Sequence, residues 1–177
     1  MSPVRPALAR PALATAALAA AALSAAAAAP AAHAAGPSRA VAQSYAHRSY
    51  VVDGTLGKRR FALTGPKAIA RGSDGSTITA FGMVLADSGD GTGQAVLLFR
   101  GARFLGWASD RLQLHLRVTG SGRAINVKYG AYSGDDPFCC PSKTKVVHYR
   151  WRGGKIVADA APPLVYGKRG GKLHLAS

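Results

Sequence analysis

Gln94-Ala95-Val96-Leu97-Leu98-Phe99-Arg100, then Gly101-Ala102, then Arg103-Phe104-Leu105-Gly106-Trp107, reads as a strand, a two-residue turn and a returning strand. The first segment is apolar at odd and even positions alike, which fits a central strand buried on both faces. Glycine in the first place of a two-residue loop suits a hairpin turn. Upstream, Thr77 to Ala86 is apolar and β-rich, and Asp87 to Gly93 is a turn cluster of Asp, Ser and Gly. Further back, Ser49 to Val52 reads as a strand ending at Asp53-Gly54, and Lys58 to Thr64 as another ending at Gly65-Pro66. Residues 71–76 form a loop, and Ser38 to Ala46 has the pattern of a short helix.

Downstream, Leu112 to Val118 alternates, with Leu and Val inward and Gln113, His115 and Arg117 outward. Gly120-Ser121-Gly122 turns the chain. Ile125, Val127 and Tyr129 then alternate against Asn126 and Lys128, and Val147, Tyr149 and Trp151 against His148, Arg150 and Arg152. Gly153-Gly154 signals a hairpin, and Lys155 to Val157 returns. The expected fold is mainly β: a single antiparallel sheet domain built of consecutive hairpins, a meander, with at most one short N-terminal helix. The expected organisation is a secretory signal over 1–34, a linker or helix over 35–46, a β domain over 47–163 and a basic Gly-rich tail over 164–177.

The signal reading rests on Arg5 and Arg10 ahead of an Ala/Leu run that Pro30 breaks, followed by the small residues of Ala32-His33-Ala34. Cleavage is expected after Ala34, with Ala35 the next choice. A retained membrane anchor is the competing reading, since the run is nearly long enough to span. Alanine is a weak membrane residue, however, and the small-residue exit favours cleavage. The chain is then secreted, extracellular or wall-associated, with no integral membrane anchor.

The chain has 23 basic and 8 acidic residues, and every acid is Asp. Losing residues 1–34 removes only Arg5 and Arg10 from that imbalance. Such a charge attracts anionic partners without naming them. By alternation His115, Arg117, Lys128, His148, Arg150 and Arg152 share the polar side of their strands, with Gln113 and Asn126 among them. That pattern makes a basic face for an anionic cell-envelope polymer or an envelope protein. Nucleic acid is the poorer fit, because Tyr149 and Trp151 point inward and leave few aromatics for base stacking.

Ala95 to Phe99 followed by Arg103-Phe104-Leu105-Gly106 resembles the "VLLF…G-R-[FY]-L-G" hairpin of the actinobacterial LppP/LprE lipoprotein family. Ile125 to Tyr129 is similar to its V-x-V-x-Y strand. Tyr149-Arg150-Trp151 with Gly153-Gly154 and Val157 is similar to its [FY]-R-W-x-G-G-x-V hairpin, and Pro162-Pro163 to the double proline that follows. The Asp136-Pro137-Phe138-Cys139-Cys140-Pro141-Ser142 string looks like a loop of the same group. The resemblance covers residues 77–163 and implies an exported β domain without assigned catalytic residues. The chain departs from the family in having no lipobox cysteine.

Cys139 and Cys140 are the only cysteines, and they are adjacent. In an oxidising compartment they are expected to pair with each other, closing a small strained ring that reduces more easily than a relaxed one. The pair is either a loop stiffener beside Pro137 and Pro141 or a redox-responsive element. An intermolecular bridge is the remaining option. No metal site or cofactor is expected, because adjacent cysteines do not complete a four-ligand set. Asp87-x-Gly-Asp90-Gly lacks the late Glu of a calcium loop and reads as a turn. Asp135 and Asp136 point opposite ways in an extended segment, which argues against a paired acid/base dyad. His115 and His148 have no evident acid partner, and no serine-nucleophile motif is present. A non-catalytic envelope binder is therefore the leading expectation, and an envelope enzyme or redox-responsive protein using Cys139-Cys140 the alternative. A deep pocket lined by His and Asp would favour the enzyme, and a shallow basic face the binder.

Overall fold

The computed structural model describes residues 35–53, 57–89, 93–137, 139–163 and 172–176. The expected signal over 1–34, the turn tip at Gly54, the centre of the 87–93 cluster, Phe138 and residues 164–171 of the tail lie outside them.

Helix α1 (Arg39–Arg48) starts at Ser38, whose Oγ accepts the Val41 N–H and satisfies one of the free amides of the first turn. His47 and Arg48 in its last turn complement the negative end of the helix dipole. Ala42 and Ala46, one turn apart, are fully buried against the sheet that follows.

Ten strands follow among the described residues: β1 (Ser49–Asp53), β2 (Gly57–Arg71), β3 (Thr77–Leu85), β4 (Gln94–Arg100), β5 (Arg103–Trp107), β6 (Arg117–Ser121), β7 (Ala124–Ala131), β8 (Lys143–Arg152), β9 (Lys155–Ala158) and β10 (Leu173–Leu175). All pairings are antiparallel. The meander divides over two sheets, ordered β10-β1-β2-β3-β4-β5 and β6-β7-β8-β9. Strand β4 explains the layering. Val96 and Leu98 face the four-stranded sheet and pack with Ile125, Val127, Tyr129, Val147, Tyr149 and Trp151. Ala95, Leu97 and Phe99 face the other way, toward α1, with Phe61, Phe81 and Met83. Helix, six-stranded sheet and four-stranded sheet are thus three layers, and the continuous apolar run at 95–99 is the signature of the middle one.

Four expectations are corrected. The strand placed at 58–64 does not end at Gly65-Pro66; β2 runs on to Arg71, with its register to β3 shifting between Thr64 and Ala68. A bulge accommodates Gly65 at φ +66° and a proline that cannot donate to the ladder. Residues 112–116 are not a strand. His115 sits at φ +52°, in the left-handed region, which breaks the pleat. Gln113 is therefore turned inward, 3% exposed, with its backbone bonded both ways to Gln94. The turn after β6 lies at Gly122-Arg123, while Gly120 and Ser121 belong to the strand. The end of the expected tail is β10, which pairs with β1 and buries Leu173; with α1 it belongs to the same folded unit as the β domain.

Candidate polyanion-binding face

Strands β6, β7 and β8 alternate about a buried inner row. Ile125, Val127 and Tyr129 on β7 and Val147, Tyr149 and Trp151 on β8 point into the core. The intervening side chains therefore share the outer face. Register places Arg117 opposite Lys128, Asn126 opposite His148, and Arg150 opposite Val157 on β9. Arg117, Lys128, His148, Arg150 and Arg152 are thus brought onto one surface, with Lys155 opposite Arg152. Like charges directly across a strand pair are destabilising unless a counter-charge lies between them. Neither Arg117 nor Lys128 forms an ion pair with a described residue.

His148 is the most tightly framed member. Its Nδ1 is 2.6 Å from Asn126 Oδ1, and its backbone N–H donates to Asp159 Oδ1 at 2.9 Å. Asp159 Oδ2 lies 4.0 Å from His148 Nε2 and 3.6 Å from an Arg150 guanidinium nitrogen. The acid partner not evident in the sequence is therefore supplied by the residue just after β9. The His148 amide, with the charges of His148 and Arg150 adding to it, holds the Asp159 carboxyl below the usual carboxylate range. Asn126 and Asp159 fix the imidazole at the floor of a shallow hollow of about 230 Å³ lined by Ser121, Arg123, Asn126, His148 and Arg150. Chemically this is a set of N–H donors and positive charge open to solvent, suited to anionic oxygens. Arg123 was missed because it lies in the turn; its position next to Gly122 in a tight hairpin is the signal that sets it beside Arg150.

His115 does not join the strand rows. It is exposed, its ring is 6.4 Å from that of Tyr132, and its Cβ lies beside Gly130 at the far end of the face. Gln113, buried, drops out. Pro141 also packs on Gly130, so the cysteine loop closes that same end. Cys139 and Cys140 form a disulfide between exposed neighbours, with 3.8 Å between their Cα atoms. Asp136 ties the loop: Oδ2 accepts the Ser133 N–H at 2.7 Å and the N–H and O–H of Ser142 at 2.9 Å each. These bonds, led by the Ser142 and Ser133 amides, lower its carboxyl pKa. Asp136 is thus a clamp. Among the described residues no three His, Cys or Asp side chains group as a metal site, and no helix is long and apolar enough to cross a membrane.

Neither the curated proteins nor the solved structures give a match. The hairpin that crosses β4 and β5 and the one that crosses β8 and β9 carry the motifs noted above, and with them residues 76–154 match the family model described as LppP/LprE lipoprotein.

Proposed function

We propose that this chain is an exported, non-catalytic cell-envelope domain that binds anionic polymers on the outer face of its four-stranded sheet. The observation that carries the reading is the convergence of Arg117, Lys128, His148, Arg150 and Arg152 on one exposed surface. The shallow hollow at His148 supports a binder over an enzyme. The family's description as a lipoprotein supports envelope placement, and the N-terminal pattern supports export with release at Ala35.

Long-chain polyphosphate and dextran sulfate are the probes. Replacing Arg117, Lys128 and Arg150 together by Gln is expected to weaken binding roughly tenfold, at about 0.5 kcal/mol per exposed charge contact. Binding should fall steeply as salt approaches physiological strength, where the screening length is about 8 Å. The control replaces Lys168, Arg169 and Lys172. If the control loses binding and the face variant does not, the tail is the anchor and the face reading is wrong.

A second reading treats Cys139–Cys140 as a redox-responsive element. The exposed disulfide, on a loop held against the end of the basic face by Pro141, favours it. Reduction that leaves polyanion affinity unchanged removes this reading.

A further inference from the structure

Among the described residues, β5 and β9 are the last strands of their sheets, and no described strand pairs with their outer edges. Between them opens a cleft of about 510 Å³, a volume typical of small-molecule sites. Its walls include Leu105, Tyr149, Trp151 and Ile156, which continue into the core between the sheets. Leu105 and Ile156 are only half-buried, so apolar surface is left uncovered here. The Tyr149 hydroxyl is engaged inward, sharing a 2.7 Å hydrogen bond with Tyr129. The wall thus offers a ligand apolar surface and no free hydroxyl. Two exposed cations, Arg103 and Lys155, also line the cleft, and no described carboxylate does.

We propose that this cleft takes a single-chain anionic amphiphile. Its hydrocarbon chain lies along Leu105, Trp151 and Ile156, and its carboxylate or phosphate head meets Arg103 and Lys155. An apolar interior with a cationic border discriminates against neutral polar ligands, which would lose hydrogen bonds inside, and against cationic amphiphiles, which would be repelled at the border. The site shares Lys155 with the border of the outer sheet face, but Arg117, Lys128 and Arg150, the positions that test the polyanion reading, do not line it.

Both tryptophans of the chain, Trp107 and Trp151, line the cleft and supply the readout. Titration with 12-bromododecanoate, below its micelle concentration, is expected to quench their fluorescence saturably at one ligand per chain. Unlabelled dodecanoate should displace it at least tenfold more effectively than dodecyltrimethylammonium. The double variant Arg103→Gln, Lys155→Gln should abolish that preference. Ala158, exposed on the cleft wall, is the blocking position, and Ala158→Phe should weaken quenching at least tenfold with unchanged circular dichroism. Should that variant misfold, indole N–H shifts of the native protein on adding dodecanoate replace it; shifts at Trp151 are expected. Absence of saturable quenching, quenching that Ala158→Phe leaves intact, equal competition by the cationic amphiphile, or no indole shift would each overturn the proposal. The polyanion reading would stand or fall separately.

Discussion

Asp74 was not singled out by its sequence position, yet it joins three parts of the molecule. Its carboxylate accepts the Ser76 O–H and N–H, the Trp151 Nε1–H at 2.9 Å and an Arg100 N–H at 2.8 Å. The Arg100 guanidinium also stacks over the Trp151 ring, 4.7 Å from its centroid. The two Ser76 bonds are the main cause that lowers the Asp74 pKa from 3.8 to about 2, with Trp151 and Arg100 adding to them. A depressed carboxylate pKa stabilises the folded state fully above the unfolded value, and the contribution is lost as pH falls through the folded one. The native protein minus the Asp74→Asn variant should therefore show a constant stability difference from pH 7 to 5. That difference should shrink between about pH 4 and 2. Urea midpoints across this range give the measurement, and parallel curves over the whole range would mean that Asp74 is not the group responsible. The network was illegible in the sequence because its members come from a turn, β4 and β8, and only the fold makes them neighbours.

Strands were legible where period-2 alternation was intact, as in β7 and β8, or where both faces were apolar, as in β4. The Gly153-Gly154 turn was legible because both residues sit at positive φ, 55° and 80°, as a two-residue hairpin with both central residues left-handed demands. Alternation misled at Leu112 to Leu116, since one residue at positive φ there resets which side chains face in. It also could not say where one sheet stops and the next starts. That joint lies at β2 and β6, where the Arg71 N–H donates to the Gly122 carbonyl at 2.9 Å. Gly120 allows it: a Cβ there would overlap the Ile69 carbonyl oxygen and come within 2.7 Å of the Ile69 nitrogen. Backbone on the receiving side cannot rotate away. Gly120→Val is therefore expected to destabilise by at least about 1–3 kcal/mol, the usual range for overpacking. Gly134→Ala, with open space around it, should stay within about ±0.5 kcal/mol. Comparable losses in thermal unfolding for the two variants would refute the account of the joint.

At the scale of the whole molecule, the outer basic face was legible as a set of residues because parity survives whichever sheet a strand joins. What it lacked in the sequence was Arg123, Asp159 and the loss of Gln113, all of which depend on turns. The C-terminal segment was less legible. A Gly-rich basic segment suggests a loose tail, because charge and glycine dominate its composition, yet three residues decide its fate. Leu173–Leu175 pairs with β1 in the register Val51↔Leu173 and Ser49↔Leu175, and the Leu173 N–H donates to the Asp110 carbonyl. Leu173 is 3% exposed and joins Val51 and Phe61 in the core beneath α1. The last described strand thus covers the edge of β1 that would otherwise be free, and it links the C-terminal segment to the helix layer. Truncating a buried leucine costs its transfer free energy and leaves a cavity, about 2–5 kcal/mol. Leu173→Ala should lower the unfolding free energy by that amount, read as a lower urea midpoint at an unchanged slope. Leu175→Ala, at an exposed neighbour of the same strand, should change it little. If the two variants behave alike, the segment is a tail after all and the first sheet ends at β1.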